Sequence, residues 1–230
     1  MKLDKITKET AKTAGRRYHD ACGAAHGLDL VGERWALLVM RELMFGPRRF
    51  GDLKSDLCGL SANVLTQRLE GLEEAGIVRR RKLPPPASVQ VYELTDWGYE
   101  AQPVFEVLGR WAARSPRHDP TLPISAVSAM MSLRTMFDAE AAGGLTARVG
   151  FVFGERNFVA TIADDDLTSQ RTETEACDVV FAGEPSAIPE YVYGKRSLAD
   201  MEAEGRLAVT GDRALAERFQ NFFGLPAKAG

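Results

Sequence analysis

The run from Phe50 to Gly76, FGDLKSDLCGLSANVLTQRLEGLEEAG, constrains this chain more than any other. It spells a short helix, a turn at Cys58-Gly59-Leu60, and a second helix opened by Ser61 as N-cap. Leu65, Leu69 and Leu72 recur at i, i+4 and i+7, which makes one apolar stripe. At about 100° per residue, Asn63 and Gln67 fall on the opposite face with Thr66 on its flank. Two amides one turn apart, near the start of a helix that follows a tight turn, suit base edges in a major groove. The same stretch also reads as a helical hairpin with a solvated polar face, so its surroundings must decide.

Upstream, GERWALLVMRELMFG presents Trp35, Leu38, Val39, Leu43 and Met44 as a wide apolar face, a platform for the helix pair. The helical pattern runs from Cys22 to Phe45 and stops at Gly46-Pro47. Arg48 and Arg49 follow, where cations reach a DNA backbone. Phe50, Leu53 and Leu57 face inward. Downstream, Ile77–Leu83 is short, β-prone and basic through Arg79, Arg80, Arg81 and Lys82. Three prolines (84–86) form a loop, and Val89–Leu94 returns as a strand. A basic hairpin directly after a helix pair reads as a wing that meets the sugar-phosphate backbone or minor groove, with a solvated basic strand as the alternative. Thr95 then caps DWGYEAQPVFEVLGRWAARS, where Phe105, Leu108, Trp111 and Ala112 form a stripe and Pro103 allows a kink. This helix has little to pack on in so small a domain and is read as a dimerisation helix, which would set two reading helices about 34 Å apart on a pseudo-palindromic operator.

Charge supports two parts. Residues 1–115 hold 18 Lys and Arg against 15 Asp and Glu, and residues 116–230 hold 11 against 17, so a basic half is joined to an acidic one within a net charge of −3. The first residues, with Lys2, Lys5, Lys8, Lys12, Arg16 and Arg17, form a basic arm that either touches phosphates or is a solvated tail. They lack the apolar centre of a secretory signal, and no apolar run approaches the roughly 20 residues of a membrane span. Cysteines at 22, 58 and 177 make no CxxC and no even framework, which suits a reducing cytoplasm. With no nucleophile-base-orienter set, phosphate loop or metal cluster, neither an enzyme nor a metal or cofactor is expected.

The expected organisation is a winged helix-turn-helix, mainly α, over residues 1–115. A stiff Pro-rich linker follows at 116–123, and an α+β domain with an antiparallel sheet and helices occupies 124–230. In the last, Ile124–Ala142 reads as one helix. Strands are expected at Ala147–Phe153, Asn157–Ala163, Leu167–Glu173, Cys177–Ala182 and Leu207–Thr210, and helices around Ile188–Tyr193, Leu198–Glu204 and Asp212–Phe223.

Residues 20–115 resemble the HxlR-type winged helix regulators of bacteria. The resemblance rests on Cys22, GERWALLVMRELMFGPRRFGDL (32–53), GLSANVLTQRLEGLEEAGIVRR (59–80) and VYELTDWG (91–98), and it departs at Cys58-Gly59, where the family carries Pro-Gly. It implies a dimeric, sequence-specific DNA-binding transcription regulator whose helix from Ser61 enters the major groove. The expected DNA contacts are Arg48, Arg49, Ser61, Asn63, Thr66, Gln67, Arg68, Arg79, Arg80, Arg81 and Lys82. Cys22 lies where many of these proteins carry a redox- or electrophile-sensing thiol, with His26 one turn away to lower its pKa; the alternative is a half-buried cysteine kept with the fold. Cys22 and His26 alone do not make a zinc site.

Residues 177–223 resemble the sterol carrier protein type fold, which implies an apolar tunnel between sheet and helices for a lipid-like or aromatic effector. Met130, Met131, Met136, Phe151, Phe153, Tyr191 and Tyr193 are its expected lining. A solid core used for oligomerisation is the alternative.

Overall fold

The computed structural model describes residues 18–230, and the basic arm from Lys2 to Arg17 lies outside them. The helical run before the helix pair is two helices, α1 (Gly23–Val31) and α2 (Ala36–Glu42). They part at Gly32, whose N–H closes on Leu28 O at 2.8 Å, and at Trp35, which takes a left-handed φ of 81°. The helix pair follows as α3 (Phe50–Asp56) and α4 (Ala62–Glu74). Gly59, at φ 83°, makes the turn between them, where a side chain would be strained. Leu65, Leu69 and Leu72 are buried with Val39, Leu43 and Leu53 of the neighbouring helices. Gly76, at φ 73°, ends α4, and the N–H of Ile77 bonds back to Leu72 O.

The wing pairs β1 (Val78–Lys82) with β2 (Gln90–Leu94) in antiparallel register, Val78 opposite Leu94 and Lys82 opposite Gln90. Arg48 adds a bridge to the free edge of β2, exchanging both backbone hydrogen bonds with Tyr92 at 2.9 and 2.8 Å. The helix expected after the wing is divided at Glu100-Ala101, as α5 (Asp96–Tyr99) and α6 (Gln102–Ala113), with Pro103 in the first turn of α6.

The second part begins with α7 (Ala126–Met136), capped by Ser125, and α8 (Ala139–Ala142), capped by Asp138. These replace the single helix read over Ile124–Ala142, because Phe137 turns extended and its segment bridges to Phe223. Strands β3 (Ala147–Phe153), β4 (Arg156–Ala163) and β5 (Asp166–Gln170) form a meander. Strand β6 (Val179–Gly183), α9 (Ala187–Val192), α10 (Leu198–Ala203), β7 (Leu207–Gly211) and α11 (Arg213–Phe219) follow in turn.

The sheet order is β5-β4-β3-β6-β7 and the sheet is mixed, which corrects the expected antiparallel one: β6 runs parallel to β3, with Val149 opposite Val179. After β5 the chain recrosses the sheet before pairing again. It passes over Gly150, where an added Cβ would stand 3.0 Å from Thr174, so a glycine makes the crossing possible. Alternate residues Val149, Phe151 and Phe153 of β3, with Phe158, Ala160 and Ile162 of β4, form the buried face of the sheet.

The two parts share one core. Phe45 meets Phe158 edge to face at 5.6 Å, and Ser125 donates its hydroxyl to the buried Glu42 at 2.8 Å. Helix α6 packs on α7, with Glu106 paired to Arg134 at 2.7 Å and Arg110 donating to Thr135 O at 2.8 Å. The tail returns to α6 through Ala229 N–H to Arg114 O at 2.7 Å, and Lys228 Nζ donates to Ala113 O at 3.1 Å. So α6 does find a partner, but only on one side: Val104, Val107, Leu108 and Trp111 face outward, the second and fourth 71% exposed. No helix among the described residues is long and apolar enough to cross a membrane.

Candidate nucleic-acid interface

Helix α4 presents the polar face that its spacing foretold. Ser61 accepts the N–H of Val64 at 3.3 Å and sets where the helix starts. Asn63, Thr66 and Gln67 are exposed, one turn or less apart, while the leucine stripe beneath them is fully buried. Thr66 donates its hydroxyl back to Ala62 O at 3.1 Å. Arg68 is turned away from this face: it reaches Glu33 at 3.1 Å and donates to Arg34 O at 3.1 Å, tying α4 to the turn before α2.

The cations around α4 are less free than their positions in sequence suggested. Arg48, expected at a DNA backbone, is 3% exposed and held by Asp56, and this corrects its assignment as a DNA contact. The reason is its bridge to Tyr92, which turns the side chain inward between α3 and the second part. Arg49, one residue on, is exposed at the start of α3. In the wing, Arg79 and Arg81 share the carboxylate of Glu93, at 3.2 and 2.9 Å. Arg80 leaves by the other face of the strand, donates through Nε to Glu73 of α4 at 3.2 Å, and lies over the Tyr92 ring at 5.7 Å. Lys82, nearest the loop, is exposed and makes no ion pair among the described residues. Glu73 and Glu93 were not singled out in sequence, although hairpin register alone would have set Glu93 against Arg79.

The expected ligand lining separates into two groups. Phe151, Phe153 and Tyr191, with Met130, are filled core. Phe151 stacks on Phe181 at 5.7 Å, Phe153 lies 6.1 Å from Phe158, and Phe181 meets Tyr191 at 5.8 Å. Tyr191 donates to Ala216 O at 2.5 Å, and burial raises its pKa to about 12. Met130 is likewise fully buried and lies outside the lining of the apolar cavity against α7. Large rings fill the space between sheet and helices here, so Met130, Phe151 and Tyr191 are corrected to packing residues; Phe153 packs on Phe158 and touches only a separate, polar cavity on the wing side.

Met131, Met136 and Tyr193 lie on the other side of α7. They line a cavity of about 300 Å³ between α6, α7 and the 116–123 segment, closed by Leu38, Phe105 and Leu108. Tyr193 shares a 2.7 Å hydrogen bond with Ser132 at this wall, and its burial raises its pKa. The cavity is mainly apolar, with Arg41, His118 and Ser128 as polar groups at its margin.

Cys22 is exposed immediately before α1. The N–H groups of Ala24 and Ala25 lower its pKa by bonding the thiolate. His26 does not contribute, contrary to its expected role.

Residues 30–119 match the HxlR-like helix-turn-helix family. An HTH-type transcriptional regulator of Synechocystis is 43% identical over 83 residues, which are 36% of this chain and 62% of that protein. Bacillus subtilis YvaP is 34% identical over 85 residues, covering 37% of this chain and 79% of YvaP. Bacillus subtilis YodB, an HTH-type transcriptional regulator, is 37% identical over 83 residues, covering 36% of this chain and 74% of YodB. Among solved structures, reduced YodB aligns at 33% identity and a TM-score of 0.39, covering 43% of this chain and 98% of its own. Another solved structure of YodB is quinone-bound, at 32% identity and a TM-score of 0.34, covering 39% of this chain and 93% of its own. Through its first part the chain belongs to the HxlR-like helix-turn-helix family of transcriptional regulators.

Proposed function

We propose that this chain is a dimeric, sequence-specific DNA-binding regulator, with residues 1–115 gripping DNA and residues 124–230 sensing a hydrophobic small molecule. The observation that carries the reading is the exposed set Asn63, Thr66 and Gln67, on a helix anchored by buried leucines and flanked by the wing. Asn63 and Gln67 choose sequence; Ser61 and Thr66 sit beside the phosphates at the helix start; Arg49, Arg79, Arg80, Arg81 and Lys82 add affinity without choice. The partner is double-stranded DNA with a pseudo-palindromic operator. The outward stripe of α6 supports a second copy of the chain as the other partner. The test is selection of bound DNA from a random pool: a half-site repeated about one helical turn apart is expected, and no enriched sequence would overturn the reading.

The order of β6, α9, α10, β7 and α11 supports the likeness of the second part to the sterol carrier protein type fold. The effector is placed in the cavity against α7, where Met131, Met136 and Tyr193 supply an adaptable apolar wall. Helix α6 contributes Leu108 both to that wall and to the outward stripe, so occupancy and dimer geometry are read by one helix. The switch is then worth the effector's differential affinity for the two geometries. Native mass measurement after gentle purification should find a bound apolar species, or show uptake of added fatty or aromatic ligands. Failure of both overturns the effector assignment but not the DNA reading.

A second reading gives the sensing to Cys22, favoured by its exposed, acidified thiol and by the quinone-bound form of its relative YodB. If Cys22→Ser protein loses DNA affinity on quinone or peroxide treatment just as the native protein does, this reading fails.

A further inference from the structure

A second cavity, of about 700 Å³, lies on the wing side between the two parts and collects four guanidiniums. Arg48 and Arg49 precede α3, Arg156 opens β4, and Arg171 follows β5; Leu83 and Val91 of the wing and Phe153 of β3 complete the walls. The carboxylates facing this group are Asp52, Asp56 and Glu155. Asp56 is shared, pairing with Arg48 and with Arg156 at 2.7 Å. Asp52 stands 4.0 Å from Arg48 Nε, beyond hydrogen-bond reach, and bonds instead to the Arg49 N–H at 3.4 Å. Among the described residues Arg171 has no ion pair.

Two observations point to an anion as the partner of this cluster. Arg48 is 97% withdrawn from solvent, since only 3% of it is exposed, yet its Nε and Nη1 find no acceptor. Buried donors on a cation are costly to leave unpaired, so a site that keeps them suits an acceptor with several oxygens. Arg171, in turn, has its pKa lowered by burial and then by the positive fields of Arg48 and Arg156, even with Asp52 and Asp56 acting the other way. The cluster therefore holds more positive charge than its three acids offset.

We propose that this cavity binds a phosphate group, with Arg48, Arg156 and Arg171 as its ligands and Arg49 at its rim, so that the anion joins the wing side of the molecule to the sheet side. Guanidinium forks match tetrahedral oxyanions in two-point contacts, and lysine is absent from the lining. The phosphate belongs either to a small phosphorylated molecule that enters as far as Arg48, or to a DNA backbone running past the wing, which the exposed Arg49 and Arg171 would meet at the mouth while Arg48 stays out of its reach. Either source would couple the second part to the reading head without touching the apolar cavity against α7.

The test uses the full chain and Arg171→Gln, a position just after the edge strand β5 and outside the apolar core. Thermal unfolding is followed with sodium pyrophosphate or inorganic phosphate against sodium chloride at matched ionic strength. Binding to a random-sequence duplex is measured across salt concentrations. Pyrophosphate should stabilise the native chain and bind the variant about tenfold more weakly, the loss expected for one charge-assisted contact. If the two proteins bind duplex equally, the source is a small phosphorylated molecule. If the variant's salt slope falls by about one contact and phosphate competes with duplex, the source is DNA. Equal stabilisation of both proteins by pyrophosphate, or none, together with equal salt slopes, overturns the proposal.

Discussion

Single residues carry the choice of sequence in this reading, and two of them make it testable. Gln67→Ala and Asn63→Ala leave the leucine stripe of α4 untouched, so folding is unaffected. Each should cost about 1–3 kcal/mol at the bases it reads and relax preference there. A binding selection on Gln67→Ala that returns the native sequence preference would place the reading face elsewhere. Glu42 makes a different kind of statement. It is fully buried, and burial raises its pKa against the opposing pull of Arg41 and Ser125. The folded chain therefore keeps the Glu42 proton to higher pH than the unfolded chain does. Its contribution is most favourable at low pH and is lost as pH climbs above the ordinary carboxylate value of about 4.3 toward the folded one. Glu42→Gln retains an acceptor for Ser125 and should flatten that decline, measured as urea unfolding midpoints from pH 4 to pH 8. An unchanged slope would show that Glu42 stays ionised throughout. That such a residue existed was hidden in the sequence: Glu42 falls in a helix whose apolar face was plain, but the hydroxyl that meets its buried carboxylate belongs to Ser125, 83 positions away.

At the level of elements, local pattern was the better guide. The helix pair and the central strands β3 and β4 follow from periods of 3.6 and 2, because each buries one face of an amphipathic segment, whereas β1 buries only Val78 and is legible from its β-prone residues and the proline loop after it. The parallel pairing of β6 was not legible, since a crossing over Gly150 depends on space left by a missing side chain and not on pattern. The wing shows the same limit for charge. Its four consecutive cations read as a free basic strand, but two of them share the single carboxylate of Glu93 and a third pairs with Glu73. Glu93→Gln should release Arg79 and Arg81 and raise affinity for any duplex, with a steeper salt dependence. Lower affinity, or no change, would mean that those arginines do not face DNA. For α6 the outward stripe leads to a parallel expectation. Trp111→Glu puts a charge on the exposed face and should shift the chain from dimer to monomer in sedimentation, with weaker operator binding. A monomeric native protein would remove the dimer from the reading.

Over the whole molecule, the sequence divides more cleanly than the structure. The Pro-rich segment 115–123 and the change in charge suggest two independent units, yet the buried residues of both form one continuous core. The contacts that join them are long-range pairs that no local pattern announces: Phe45 with Phe158, Asp56 with Arg156, and α6 with α7. A shared core predicts shared unfolding, and the distribution of tryptophan allows this to be observed. All three tryptophans, Trp35, Trp97 and Trp111, lie in the first part. Phe158→Ala is a change in the second part; it empties a fully buried site against Phe45 and Phe153 and should cost about 3–5 kcal/mol. If the chain unfolds as one unit, the tryptophan fluorescence transition of this variant moves by the same amount as the circular dichroism transition, and the two coincide in both proteins. If the parts unfold separately, fluorescence keeps its native midpoint while part of the dichroism signal shifts. That second outcome would also remove the mechanical basis for sensing, because a ligand against α7 can bias the reading head only through a core that the two parts hold in common.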